Sequence, residues 1–447
     1  MTKSQNGLFV LLLSIGVSTL AHGQSNVSGI VSQRYYARSF DQQLELNFRR
    51  AGAAILGMGG AATATVQSSA AMVWNPAGLA SIAGPTLSLD NNFNLNNREV
   101  FVQPLSGLKV VSQVEPRILP AMASAVYPVM LGRQRIAFGV NYHRMSPLAQ
   151  KVTDTFYIYP AGTLDEIETP TGSLYAFVPG VAWEIMPQLA IGASYHFVNG
   201  ASKYKLELKS PFLDEFVFYG FQDEESYSGS FAMLGVQIKP ASWLALGATV
   251  TPSWQFEITE KQETELVATN TTGTTSATVA THTPPEDLDQ FKLEIPLFYC
   301  VGLALRPMSR VTFAVDYENR GWSEAKQSTN GNPVATGLLN SNVVRAGVEY
   351  LASAKWADFP LRFGYYTEPR PYKDRYFQGQ YFGEQIKVKA LTFGAGVRRA
   401  AWTLDAAVEL RTSDTAWWLD AGDYYNERIS STEERFNEIT FSFGYQF

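Results

Sequence analysis

The side chains that could do chemistry are few: His143, His196 and His282, the single Cys300, and a glycine-rich run at residues 57–64, GMGGAATA. A hydrolase needs a nucleophile, a base and an orienting group arranged around one reacting atom. No Ser, Asp or Asn stands beside these histidines at a recognisable spacing. A metal site asks for ligands at fixed local intervals, and the three histidines are isolated from one another. One thiol excludes both an internal disulfide framework and a cysteine-built metal centre, so Cys300 reads as a small inward-facing filler. The glycine run is no phosphate loop, because no Lys-Ser/Thr pair follows it and no βαβ unit surrounds it. The expectation is a protein that is not an enzyme, with no catalytic residues, no metal and no cofactor.

A second set of residues offers charge. Asp316, Glu318, Arg345, Glu349, Arg362, Glu368, Asp405, Glu409 and Arg411 share one phase of segments in which apolar and polar residues alternate. The final segment shows the alternation best: from Ile439 to Phe447 the odd positions are apolar or aromatic and the even ones small or polar. Such a period of two is that of a strand, with successive side chains on opposite faces. If the aromatic phase meets lipid, the charged phase is enclosed. A charge on the lipid side near mid-bilayer would cost ~2 to 4 kcal/mol, so the partition argues for a polar lumen. Mixed signs there can pair into a network that holds the wall and packs against a plug; the functional alternative is a selectivity lining for a charged solute or head group.

The elements that carry these residues read as an all-β, transmembrane antiparallel barrel. Strands are expected to begin near Thr86, Arg117, Gln134, Gly172, Gln188, Tyr227, Trp243, Asp289, Arg310, Ser341, Pro360, Gln385, Ala401 and Glu433. Tight turns at Gly132-Arg133, Pro187, Pro240-Ala241-Ser242, Pro307-Met308 and Arg399-Ala400 alternate with long polar loops, as the two ends of an outer-membrane barrel do. That gives about fourteen strands, with twelve or sixteen also meeting the even-number rule. Thr-rich residues 263–283 read as an extracellular loop tip or flexible excursion.

Composition agrees: of 447 residues 13% are aromatic and 17% charged, and the net charge of −6 gives no reason to expect nucleic acid. At the front, Lys3, an apolar run from Leu8 to Leu20 and then Ala21-His22-Gly23 have the form of a cleaved signal peptide over residues 1–23. No later stretch reaches the ~18 to 20 apolar residues of a spanning helix. Export to the outer membrane as a multi-pass barrel follows, with outer-membrane lipid as its surroundings.

Residues 24–85 lack strand alternation. They hold the GMGGAATA run, whose small residues let backbone approach backbone, and then Ser68 to Ala80, a short helix-like stretch broken at Pro76. A compact, weakly charged element of this kind fits a barrel lumen, leaving 86–447 for the wall. GMGGAATA followed by WNPAGLA (residues 74–80) resembles the N-terminal hatch of the FadL family of outer-membrane transporters. The resemblance continues through Val315-Asp316-Tyr317 with Gly321-Trp322-Ser323, then Arg345 to Tyr350, Pro360 to Tyr366 and the terminal Phe447.

It implies a fourteen-stranded barrel plugged by its N-terminal segment. It also implies passive transport of hydrophobic small molecules such as long-chain fatty acids or aromatic hydrocarbons, which enter from extracellular loops and leave sideways through a gap in the wall. The hatch element falls on Asn75, Pro76 and Ala77, and with Gly57, Gly59, Gly60 and Gly78 these are the expected hatch and gate residues. Phe443, Tyr445 and Phe447 form the expected C-terminal signal to the barrel-assembly machinery. Residues 26–50, with Tyr35 and Tyr36, extend further than a minimal hatch. Relatives with a similar plug act in type IX secretion, so the alternative is a barrel that serves as a shuttle or interaction partner for exported proteins.

Overall fold

Segments that alternate between bulky apolar and small or polar residues form pleated strands with one greasy and one polar face, and strands can cross a bilayer only when closed on themselves. The computed structural model describes residues 51–447 except 96–97, 103–108, 115–116, 147–151, 159–161, 170, 211–214, 273–274, 330–331, 378–379 and 421–425. The expected signal peptide and the extension through residue 50 lie outside the described residues. The wall is a closed antiparallel barrel of fourteen strands. In order they are β1 (Thr86–Asn94), β2 (Arg117–Leu131), β3 (Gln134–Ser146), β4 (Thr171–Met186), β5 (Leu189–Ser210), β6 (Glu215–Ala241) and β7 (Leu244–Thr251 continued by Trp254–Thr272). They continue as β8 (Thr275–Ile295 continued by Phe298–Met308), β9 (Val311–Arg320), β10 (Ser341–Ser353), β11 (Asp358–Phe377), β12 (Gln380–Arg399), β13 (Trp402–Asp420) and β14 (Asn426–Gln446). Closure is made by β1, where Thr86 pairs with Gln446 of β14 on one side and with Val126 of β2 on the other.

Several strands run further into the long-loop end than the apolar pattern predicts. β6 begins at Glu215, β8 at Thr275 and β14 at Asn426. The Thr-rich segment is a correction: β7 and β8 stay paired out to Thr272 and Thr275, so it is mostly a hairpin and not a loop. Backbone pairing does not need an apolar face, and β-branched threonine favours extended backbone. The loops also carry short hairpins of their own, Arg98–Val102 with Lys109–Val114 and Val152–Ile158 with Gly162–Glu168.

Side-chain direction follows the alternation. On β8, Tyr299, Val301, Leu303 and Leu305 are each 38–48% exposed, while Phe298, Cys300 and Ala304 alternating with them are buried. Phe441, Phe443, Tyr445 and Phe447 likewise face outward at the end of the chain. A continuous apolar belt of this extent is unfavourable in water and suits acyl chains. Among the described residues no helix is long and apolar enough to cross a membrane.

The core is the lumen, filled by residues 51–84 ahead of β1. That segment folds into two single-turn helices, α1 (Ala53–Leu56) and α2 (Ala71–Trp74), and a 3-10 turn over Pro76–Ser81. Asn75 is extended, ending α2, and its side chain accepts the Ala77 N–H to start the next turn, with Pro76 supplying the fixed φ of a first helical position.

Candidate functional site

At the height of the hatch the barrel wall carries four cross-strand pairs of glycines. Gly139 pairs with Gly180, Gly192 with Gly235, Gly247 with Gly302, and Gly347 with Gly364. A methyl group at these positions would overlap the hatch: Pro76 and Ala77 at Gly192, Asn75 at Gly235, Thr63 at Gly247, Met58 at Gly347, and Gly59 at Gly364. Over Gly139 and Gly180 the space is taken by the Met72 thioether. On the hatch side, Gly57 lies against the backbone of Gly394, while Gly59 and Gly60 adopt positive φ (66° and 77°) that other residues resist. Glycine on both partners therefore brings backbone against backbone around the lumen.

Polar wall side chains then fix that backbone. Asp316 Oδ2 accepts from Ala62 N, Thr63 N and Thr63 Oγ1 at 2.8, 2.8 and 2.7 Å. Asp90 accepts the Gly52 N–H at 2.8 Å and Ser442 the Ala53 N–H at 2.7 Å, holding the start of α1. Thr392 accepts from Gly59 N and donates to the Gly57 carbonyl. On the opposite wall Ser194 donates to the Met72 carbonyl, and Asn75 Nδ2 donates to the carbonyls of Thr63 (2.7 Å) and Val236 (3.0 Å). Asn75, Pro76, Ala77 and Gly78 are all buried, with Gly78 set against the Val66 carbonyl.

Among the described residues the inward charges pair in several groups. Asp316 serves the hatch. Glu318 binds Arg345 (2.6 Å) and Arg320 (3.3 Å), and Arg320 also binds Glu368 (2.8 Å). Arg362 bridges Glu349 (2.8 Å) and Asp405 (2.7 Å), and Arg398 reaches Glu349 from the turn side. Glu409 is held by Arg411 and by the Tyr366 hydroxyl. Arg345 additionally lies over the ring of Trp74, 5.7 Å from its centroid. Cys300 sits against the Thr63 hydroxyl at 3.1 Å.

On the long-loop side of the hatch lies a pocket walled by Phe231, Met233, Thr251, Trp254, Phe298, Glu318 and Arg320. Trp254 fits because Gly229 offers no Cβ beneath its ring. An aromatic row runs out of the pocket: Trp254 meets Phe231 at 4.8 Å, Phe231 stacks on His196 at 4.2 Å, and His196 meets His143 edge-on at 6.4 Å. Both histidines are thus brought together inside the lumen, next to Ser194; the segment holding His282 has no described side chain.

The sequence reading overlooked the wall glycines, Asp90, Ser194, Thr392, Ser442 and the pocket. A usable signal existed for the first of these. Gly192, Gly235, Gly247 and Gly302 each stand five residues from a turn residue, Pro187, Pro240, Ser242 and Pro307, which puts them at one height. The pocket residues carry no such spacing.

Residues 31–376 match the family described as outer membrane protein transport protein (OMPP1/FadL/TodX). The sequence has no significant match among curated proteins. Among solved structures, the Pseudomonas putida toluene transporter TodX is 14% identical, covering 90% of this chain and 99% of that one, with a TM-score of 0.56. The Ralstonia pickettii toluene transporter TbuX gives 14%, 90%, 99% and 0.57 on the same measures. A Pseudomonas aeruginosa FadL homologue gives 12%, 90%, 100% and 0.55. At these identities the structures speak for the fold. None of these matches favours the secretion-type alternative. A match over most of the sequence, joined to a plugged fourteen-stranded barrel, places the chain in the OMPP1/FadL/TodX family of outer-membrane transport proteins.

Proposed function

We propose that this barrel passively conducts neutral hydrophobic molecules, aromatic hydrocarbons ahead of long-chain fatty acids, from the long-loop side through the pocket beside the hatch. The observation that carries the reading is the pocket lining: three aromatic side chains and a thioether, bordered by charges that already cancel. Arg320 is engaged by Glu318 and Glu368, and Arg345 by Glu318, so each of these two cations is already held by a carboxylate of the wall. An apolar solute gains roughly 25 cal/mol per Å² of surface it removes from water, which is enough for passage without an energy source. Direction then comes from consumption downstream.

The hatch supplies closure, and residues 75–78 are the segment we assign to gating. Sideways release has a candidate place. The pairing of β6 with β7 steps by one residue between Gly229–Phe256 and Leu234–Val250, alongside the pocket. Pro252 and Pro296, which have no N–H to donate, interrupt β7 and β8 at the same level. Removal of residues 1–23 on export and delivery by the barrel-assembly machinery through Phe443, Tyr445 and Phe447 complete the proposal; the mass of the mature chain tests the first point.

Isothermal titration of the detergent-solubilised barrel with toluene and with decanoate tests the substrate class. Toluene should bind, and Trp254→Ala should weaken it about three- to tenfold, the loss expected for one aromatic contact. Decanoate that binds as tightly as toluene and displaces it would sink the neutral-substrate reading.

A further inference from the structure

Asn141 stands out among the lumen residues. It lies on β3, one inward position beyond Gly139, and is 1% exposed. Neither its amide nitrogen nor its oxygen has a hydrogen-bond partner among the described residues. Buried amides are nearly always paired, because the desolvation of both groups is otherwise uncompensated. Its strand neighbours, Ser124 and Val178, leave it so: the Ser124 hydroxyl is turned to Ser69 of the hatch, and valine offers nothing.

The surroundings point to a ligand. Beneath Asn141, Met72 fills the space over Gly139 and Gly180, and methionine is the side chain that most readily re-packs. Two positions along the strand, His143 is the end of the aromatic row that begins at Trp254 in the pocket and passes through Phe231 and His196. An aromatic body travelling along that row would carry a substituent toward the orphaned amide. A primary amide presents one acceptor and two donors. A hydroxyl answers both kinds at once; a hydrocarbon answers neither, and a carboxylate would repel the amide oxygen.

We propose that Asn141 forms the polar end of a subsite for hydroxyl-bearing aromatic molecules, phenols above all, its Oδ1 accepting the ligand O–H and its Nδ2 donating to the ligand oxygen. The proposal rests on the pocket reading above and sharpens its substrate class.

Toluene and p-cresol differ by one hydroxyl and make the test. In titrations of the full-length barrel, wild type holds p-cresol at least as tightly as toluene. Asn141→Leu, an apolar replacement of similar volume, weakens p-cresol about tenfold and leaves toluene within about twofold. An unchanged ratio of the two affinities in Asn141→Leu overturns the proposal. Should that variant not assemble, wild type decides alone: p-cresol bound weaker than toluene by as much as its poorer partition into alkane overturns it too. If toluene itself does not bind, the pocket reading fails first; if toluene binds without discrimination by Asn141, only the subsite falls.

Discussion

Arg362 illustrates what buried charge does in this lumen. Its guanidinium is held by Glu349 and Asp405, and among the described residues only Glu349 has a second cation, Arg398. Arg362→Leu therefore strands Asp405, a loss of about 3–5 kcal/mol for one broken buried pair. Adding Asp405→Leu should recover most of that, because Arg398 still serves Glu349. Urea unfolding in lipid vesicles measures both; equal destabilisation of the single and double variants contradicts the pairing. Asp316 has a different task, since its one oxygen receives three hydrogen bonds from the hatch. Asp316→Ala leaves the Ala62 and Thr63 N–H groups unmet at about 1–3 kcal/mol each. Loosening of the plug should follow, read as ion conductance in planar bilayers.

At the scale of the element, the hatch is held by fit of backbone to backbone more than by long side chains. Gly364→Ala puts a methyl into the Gly59 backbone, and neither backbone can rotate away as a side chain would. The expected outcome is a displaced hatch in an intact barrel: heat-modifiable migration on gels retained, conductance raised. The segment proposed as the gate yields a related test. Pro76→Ala with Gly78→Ala frees a φ angle and presses a methyl on the Val66 carbonyl, so uptake of toluene should change while the barrel still folds. Unchanged uptake at equal surface expression would count against residues 75–78 as the gate.

For the whole molecule, a fourteen-stranded wall is wide enough that its interior must be filled or wet. Residues 51–84 fill it, and the interior charges of β9 to β13 are neutralised among themselves or spent on the hatch. The intact chain should show no steady pore in planar bilayers, whereas deletion of residues 51–84 should open one of porin-like size. A steady large conductance from the full-length chain would favour a general diffusion porin over a selective conduit.

Much of this architecture was legible in the chain itself. Alternation on each strand, strict succession of tight turns and long loops, and the even strand count follow from local backbone geometry and from which face water avoids, and a one-dimensional pattern records both. Gly57 to Ala64 and Trp74 to Ala80 could be read as a plug because small residues and Asn-Pro state their own conformation. What tertiary structure alone decided is which side chains meet. Asp316 and Thr63 are 253 residues apart, and nothing in either neighbourhood tells that one caps the other. The pocket draws Phe231, Trp254, Phe298 and Arg320 from four strands, and its level depends on register, set by turns and bulges far from it. Alternation alone puts Asn141 on an inward face, and only the fold shows that its amide meets no partner among the described residues. Periodicity fixes the face a side chain takes; closure of the barrel fixes its company.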